Sequence, residues 1–538
     1  MNKFFRLSFI ILLFYSCGSI KNYNTAVTQL HDIENLRKDV DKAYLQLRRH
    51  HPRLYQYSSK EKLDFKFDSL KTAIKSPMTS QQFYQELAKV TKFVGQGHMS
   101  LAVPFKKRNR KERKAFNKTK FDINNLDFEY IDNKLIIRNA RGKDSILKNT
   151  EVLKVNDENP LQLIKKYKET VATDGYNTTF HDRVVGYRFL GYYAYDNGRF
   201  DSIALTLRNT DSTFVKTYKR VQKKDLSKVK DTIAKDSVVR DSIAKPKKKL
   251  TRAEKKAKKL KSKKRFQDNQ KYGYNYTTKT YNRNLSFMGK DSTIALLTIK
   301  SFTRGKKKAY QSFYKEVFTK IDSTKTENLI IDLRNNFGGR LNEIMEFYGY
   351  LTDKEYTLIN QSEVNSRIPI LKAGMSNSRP LVTKMIYGVL SPGIVIHNLL
   401  ATKKKDGQLY YKFKASKPQE PKPNNYKGKI YVLINGNSFS ASSILSTQLD
   451  GDNRATFVGE ETGGAYNGTV AGLYKIYELP NSKVKMRIGM MHVDSKYKTA
   501  PDGYGIKPDI EILPKYQDRL KGIDTELQWI LDDIEADK

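Results

Sequence analysis

The chain holds one cysteine, Cys17, in 538 residues. An internal disulfide is therefore excluded, and so is any metal site built on thiolates. Seven histidines and the carboxylates remain as possible ligands, and no CxxC or HExxH spacing occurs. Long apolar runs are missing after the N-terminus, so no later stretch predicts a transmembrane helix, which needs about 20 apolar residues. Zinc-finger spacing and RNA-binding aromatic signatures are missing too, which argues against a nucleic-acid partner. Positive charge is in excess, at a formal net +43. The length exceeds the roughly 100–200 residues of one domain and predicts two or three folded units, each with its own core.

Much of the charge is local. Residues 221–270 carry 19 Lys/Arg against 6 Asp/Glu and almost no aromatics, the composition of a disordered, solvated insert. Within it Asp231, Asp236 and Asp241 recur in DTIAK, DSVVR and DSIAK, followed by Lys-rich runs; a short charged helix or a flexible linker fits this pattern. The rest of the charge is spread along the chain, as suits a basic protein in an envelope rich in anionic lipid.

Residues 1–17 have the layout of a secretory signal: Lys3 and Arg6, an apolar run from Leu7 to Tyr15, then Ser16-Cys17. The run is too short to span a bilayer of about 30 Å and is expected to be removed. A small residue directly before the only cysteine resembles a bacterial lipobox. That resemblance implies acylation of Cys17 and a lipid anchor in the cell envelope, on the periplasm-facing or outer surface.

From residue 25 to 101 the pattern is helical, with Leu30, Ile33, Leu36, Val40, Tyr44 and Leu47 at threes and fours and Thr79 or Ser80 as a cap. It ends at Gly97-His98-Met99-Ser100, where glycine interrupts the helix and a β-like stretch follows. Residues 121–218 alternate short strands and turns, predicting a small β-rich domain. Residues 280–515 read as α/β, with apolar strands at IALLTI, LIIDL, IYVLI and TFVG interleaved with helices, and a Lys/Pro-rich loop at about 402–427. A C-terminal helix is expected in 516–538.

Four turns in the α/β part carry chemistry. The strand at 430–434 runs through a polar turn to Ser440, after which Ala441, Ile444, Leu445 and Leu449 share one helical face. A hydroxyl there sits beside free backbone N–H groups and the positive end of a helix dipole, which suits an attacking nucleophile, but the turn by itself favours an ordinary helix cap. Gly338 and Gly339, after the strand at 329–333, allow the backbone to approach a ligand and present N–H groups. A glycine-rich loop, GEETGGAYNG, spans 459–468, and Asp502 sits in a Pro/Gly turn.

In this order the motifs resemble the C-terminal-processing (tail-specific) serine peptidases, family S41, of the crotonase-like folds, and especially their tricorn-core-like branch. A D-x-R-x-N-x-G-G element is matched by Asp332 to Gly339. The serine element S-A-S is matched by Ser440-Ala441-Ser442, the G-E-x-T-x-G loop by Gly459 to Gly464, and the closing G-x-x-P-D-I by Gly505 to Ile510. The resemblance implies a crotonase-like ββα core, Ser440 as nucleophile, and an oxyanion hole from Ala441 with Gly338 or Gly339. Many members carry a lysine base 25 residues after the serine, where this chain has Ala465. The tricorn-like branch uses a histidine and a carboxylate instead, which fall here on His98 and Asp502; Lys475 is the nearest alternative base. A PDZ-like module often precedes the core in such proteins, and residues 148–160 resemble its strand and turn.

The function implied is acyl transfer on a protein or peptide of the envelope through Ser440, His98 and Asp502, with no metal or organic cofactor. Two rivals stand beside it: an inactive peptide-binding scaffold of the same fold, and an adhesion protein whose basic insert binds anionic polymer.

Overall fold

The computed structural model describes residues 20–210, 212–223, 251–276, 278–289 and 292–537. The expected signal, Cys17 and residues 224–250 of the basic insert lie outside the described residues.

Four helices, Ile20–Thr28, Ile33–His50, Lys60–Ala73 and Ser80–Thr91, open the described chain and lead into strand β1 (Ser100–Ala102). Thr79 caps the fourth in a reciprocal capping box with Gln82. Leu36, Val40, Tyr44 and Leu47 are buried on one helical face, whereas Leu30 lies outside the helix and is exposed. A second unit carries β2 (Thr119–Phe121), β3 (Leu126–Ile131), β4 (Lys134–Ala140), β5 (Glu151–Val155), β6 (Ser202–Arg208) and β7 (Thr213–Gln222). These form one antiparallel sheet in the order β2-β7-β6-β5-β4-β3.

The remainder carries β8 (Arg283–Met288), β9 (Ile294–Ile299), β10 (Asn328–Asp332), β11 (Ser362–Val364), β12 (Thr402–Lys405), β13 (Gln408–Tyr411) and β14 (Lys429–Ile434). It closes with β15 (Thr456–Gly459), β16 (Thr469–Glu478), β17 (Lys485–Val493) and β18 (Ile510–Glu511). One sheet, ordered β18-β15-β14-β10-β9-β8, is parallel except for β8. Its central strands are buried on both faces, which is why LIID and IYVLI read as continuous apolar runs rather than alternating ones. A second sheet runs β1-β17-β11-β13-β12, with β16 also on β17. The architecture is thus a mixed α/β one.

Strand β1 pairs with β17, with Ser100 opposite Arg487. The N-terminal helices also bury Leu36, Leu47 and Phe83 in one cluster with Met486 and Ile488. Residues near position 98 and residues near position 490 are therefore locked together by a sheet and a core.

Two expectations need correction. The end of the 221–270 insert is not disordered: residues 252–271 form a helix begun by a capping box between Thr251 and Glu254, the charged-helix alternative for this stretch, since strong helix formers at almost every position outweigh the charge. The expected loop at 402–427 starts with the β12–β13 hairpin, turned by Asp406 and Gly407, both at positive φ, the pairing favoured in two-residue hairpin turns. The C-terminal stretch splits into helices Tyr516–Lys521 and Thr525–Ala536.

The antiparallel unit is docked firmly on the α/β part. Phe439 belongs to its core and stacks on Phe180 at 4.6 Å. Arg183 donates from Nε to Glu460 Oε2 at 2.6 Å and from a second nitrogen to Oε1, with both side chains buried. Arg183→Ala leaves that carboxylate buried and unpaired, so a loss of about 3–5 kcal/mol is expected in urea unfolding.

Candidate active site

Ser440 occupies the cap position of the helix Ala441–Gly451, yet its side chain makes no capping hydrogen bond. Its backbone sits at φ 61, ψ −121, a conformation glycine normally adopts in the first central position of a II′ turn. A non-glycine residue is costly there and is held by its surroundings. A Cβ on Gly338 would lie 2.5 Å from the Ala441 nitrogen and 2.8 Å from Ser440 Cβ, so only glycine lets the 335–339 turn close on the serine. The neighbouring hydroxyls do other work. Ser438 Oγ donates to the Leu333 carbonyl, Ser443 Oγ donates to the Ser438 carbonyl, and Ser442 is fully buried.

The Ser440 Oγ lies 2.9 Å from His98 Nε2. His98 is buried, with its ring stacked 4.6 Å from Phe439 and 6.1 Å from Tyr474 of β16. Gly97 makes this possible, because a Cβ there would lie 2.8 Å from the Phe439 ring. Burial, reinforced by Arg487 and Arg188, lowers the His98 pKa to about 3. The imidazole is therefore neutral near pH 7 and can accept a proton.

The other ring nitrogen does not meet Asp502. His98 Nδ1 lies 3.0 Å from Thr469 Oγ1, and the Thr469 hydroxyl donates to Asp174 Oδ1 at 3.1 Å. Since that hydroxyl proton goes to the carboxylate, the threonine oxygen must accept from Nδ1–H, which leaves Nε2 as the acceptor facing Ser440. Asp174 is fully buried and also accepts from the Gly97 N–H at 2.7 Å. Burial pushes its pKa up to about 7, against the pull of Gly97 and Thr469.

Asp502 is exposed and accepts from Gln56 Nε2 at 3.0 Å and from the Tyr57 hydroxyl at 3.4 Å. The expected contact with His98 is replaced by these bonds, and Asp502 lies at the rim. Its turn nevertheless packs on the loop that carries Asp174, with the Tyr176 N–H donating to the Gly503 carbonyl at 2.8 Å. Asp174 was missed because it belongs to the β-rich unit and sits in a plain Asp-Gly turn, which signals a loop and nothing more. Thr469 carried no sequence signal.

Among the expected oxyanion donors, the Gly338 N–H donates to Asn336 Oδ1 at 2.9 Å and is engaged. Ala441 is the first residue of its helix, where a backbone N–H has no intrahelical acceptor. Gly339, at φ 154, is bridged to Phe302 and continues the same turn. Ala465 is buried in the loop whose Gly464 abuts Ser440, as a Cβ on Gly464 would lie 3.2 Å from the Ser440 nitrogen. Lys475 points elsewhere, its Nζ donating to the Lys372 carbonyl at 3.0 Å. Among the described residues no group of three or more His, Cys, Asp or Glu is placed to hold a metal ion.

Residues 293–512 match the profile of Peptidase family S41. The chain is 24% identical over 237 residues to a carboxy-terminal-processing protease of Bartonella bacilliformis, an alignment covering 44% of this chain and 43% of that one; the match thus spans less than half the length of this curated relative. Among solved structures, mature CPAF superposes with a TM-score of 0.56 over 92% of this chain and 96% of its own, at 14% identity. The same protein complexed with lactacystin gives 0.57, at 14% identity, over 93% and 97% of the two chains. At that identity the likeness is one of fold, and it extends beyond the family domain to nearly the whole chain.

Proposed function

We propose that this protein is a serine peptidase that cleaves protein or peptide substrates through an acyl-enzyme. Ser440 attacks the scissile carbonyl while His98 Nε2 takes its proton and later delivers it to the leaving amine; water then releases the acyl group by the same route in reverse. Thr469 and Asp174 hold the imidazole in the tautomer this requires, and the N–H groups of Ala441 and Gly339 face the developing oxyanion. The 2.9 Å contact between Ser440 Oγ and a buried, neutral His98 carries this reading. It is the arrangement expected of a member whose lysine position is Ala465, as in the tricorn-core-like branch. The parallel sheet is read as the crotonase-like core, and the antiparallel unit as the PDZ-like module that would present substrate termini.

Export and acylation of Cys17 complete the proposal and place the enzyme in a bacterial cell envelope. The test is a fluorophosphonate probe on the purified full-length chain, read by mass spectrometry. Modification of Ser440, abolished in Ser440→Ala and in His98→Ala, is the expected result; an unreactive wild type overturns it and leaves the two non-catalytic readings, a peptide-binding scaffold and an adhesion protein. Intact mass of the membrane-fraction protein reads the N-terminus, which should begin at an acylated Cys17.

A further inference from the structure

Between β11 and β12 the chain makes a helical hairpin, Leu381–Val389 and Ser391–Ala401, bent by 68° at its break. The first arm buries no side chain and the second buries only Asn398. Val382, Ile386, Val389, Leu390, Ile396 and Leu400 all face outward, with Val389 81% and Leu400 77% exposed. Water is a poor solvent for so much contiguous apolar surface, and an exposed patch of this kind marks an interaction site.

The hairpin is rooted firmly. Asn398 Oδ1 accepts from the Ile370 N–H at 3.1 Å. Ser378 Oγ donates to the Ile476 carbonyl at 2.7 Å, and Asn377 exchanges two hydrogen bonds with the Glu478 backbone at 2.8 and 2.9 Å. All three anchors lie on or beside β16, the strand that also carries Thr469 and Tyr474. The apolar surface is therefore a rigid extension of the site's own strand.

Charge identifies what covers it. From Val364 to Lys405 the chain has seven Lys/Arg and not one Asp/Glu. Arg379 precedes the first arm, Lys384 lies within it, and Lys403, Lys404 and Lys405, all exposed, follow the second. A second copy of the chain would set these cations against one another, and a peptide would need a matching acidic frame around a long apolar stretch. A bilayer of anionic lipid offers both, with acyl chains for the apolar face and headgroup phosphates for the lysines. Bent by 68°, arms of 9 and 11 residues span roughly 25 Å end to end at about 1.5 Å per residue, short of the roughly 30 Å hydrocarbon core, and both ends are hydrogen-bonded back to the protein, so the hairpin lies in the interface.

We propose that residues 381–401 dock into the surface of an anionic phospholipid membrane and hold the β16 side of the site against it. This contact is separate from any acyl anchor and does not depend on the hydrolytic reading.

The test uses the full chain with Cys17→Ser, which removes the acylation site and the only thiol. Val389→Cys, labelled with a polarity-sensitive dye, is mixed with vesicles of phosphatidylglycerol and phosphatidylethanolamine. A blue shift is expected there and not with phosphatidylcholine alone, while the same dye at Val215→Cys, an exposed position on β7, stays unshifted. The triple variant Val382→Asp, Ile386→Asp, Val389→Asp should partition into the anionic vesicles at least about tenfold less than its parent. An unshifted Val389 probe on anionic vesicles overturns the proposal, as does a folded triple variant that partitions like its parent. A concentration-dependent dimer that the triple variant loses in the absence of lipid assigns the face to a second copy and overturns it equally.

Discussion

Ser440→Ala and His98→Ala are each expected to lower kcat on an unstructured protein substrate by about 10⁴–10⁶-fold, and the double variant should fall no further. In the proposed mechanism nucleophile and base act as one unit, so removing either removes the same step, and what survives is the contribution of binding and the oxyanion donors. The geometry makes the prediction sharp. Ser440 Oγ and His98 Nε2 are 2.9 Å apart, and the neighbouring hydroxyls of Ser438 and Ser443 are committed to backbone carbonyls. Single-turnover kinetics of the two single variants and the double variant check it. Losses that multiply in the double variant would mean that His98 and Ser440 act separately.

The second large effect belongs to Asp174. An imidazole held at about 3 by burial gains a proton readily only when a negative charge is close enough to stabilise it. Asp174 supplies that charge through Thr469, but its own carboxyl is raised to about 7, so it is protonated below that pH and ionised above. Activity should therefore climb as pH rises through about 7. Asp174→Asn should lower kcat/KM at pH 8 by about 10²–10⁴-fold and flatten that limb. Thr469→Val should do much the same by breaking the relay. Asp502→Asn removes only rim hydrogen bonds, each worth on the order of 1 kcal/mol, and should stay within about fivefold of the parent with the limb intact.

Stability moves in the opposite direction, which separates function from folding. A carboxyl whose folded pKa is raised favours the native state at low pH, and this is lost as pH rises through the folded value. Asp174→Asn removes an ionised buried group at pH 8 and should melt above its parent there while remaining nearly inactive. A variant that is both less stable and less active would assign Asp174 a packing role.

The position of Ser440 at a strand-turn-helix junction was legible because its surroundings are local, whereas its reading as nucleophile rather than cap came from the ordered motifs of the resemblance. Gly338 was legible as a turn glycine after a strand, but the contact that excludes a side chain there, a close approach to Ser440 and Ala441, is tertiary. His98 was legible only through a resemblance and a missing lysine at Ala465, since a lone histidine in a glycine turn carries no signal of its own. The carboxylate was read onto Asp502 because the motif is contiguous there, whereas the one hydrogen-bonded to His98 through Thr469 comes from the loop between two helices of the β-rich unit. Residues 252–271 were left between a disordered linker and a short charged helix because charge density argues for the first and helix propensity, summed over twenty positions, for the second.

By itself the sequence determined what is written in short-range pattern: the buried parallel strands, the turn that lifts Ser440, the glycines that let backbone approach it, and the absence of a lysine base. The tertiary structure decided which carboxylate lies behind His98. His98, Asp174, Ser440 and Thr469 are separated by tens to hundreds of positions, and they meet only because β1 pairs with β17 and Phe439 enters the core of the antiparallel unit. No periodicity or spacing along a chain encodes a contact made by burying one unit's apolar surface against another's.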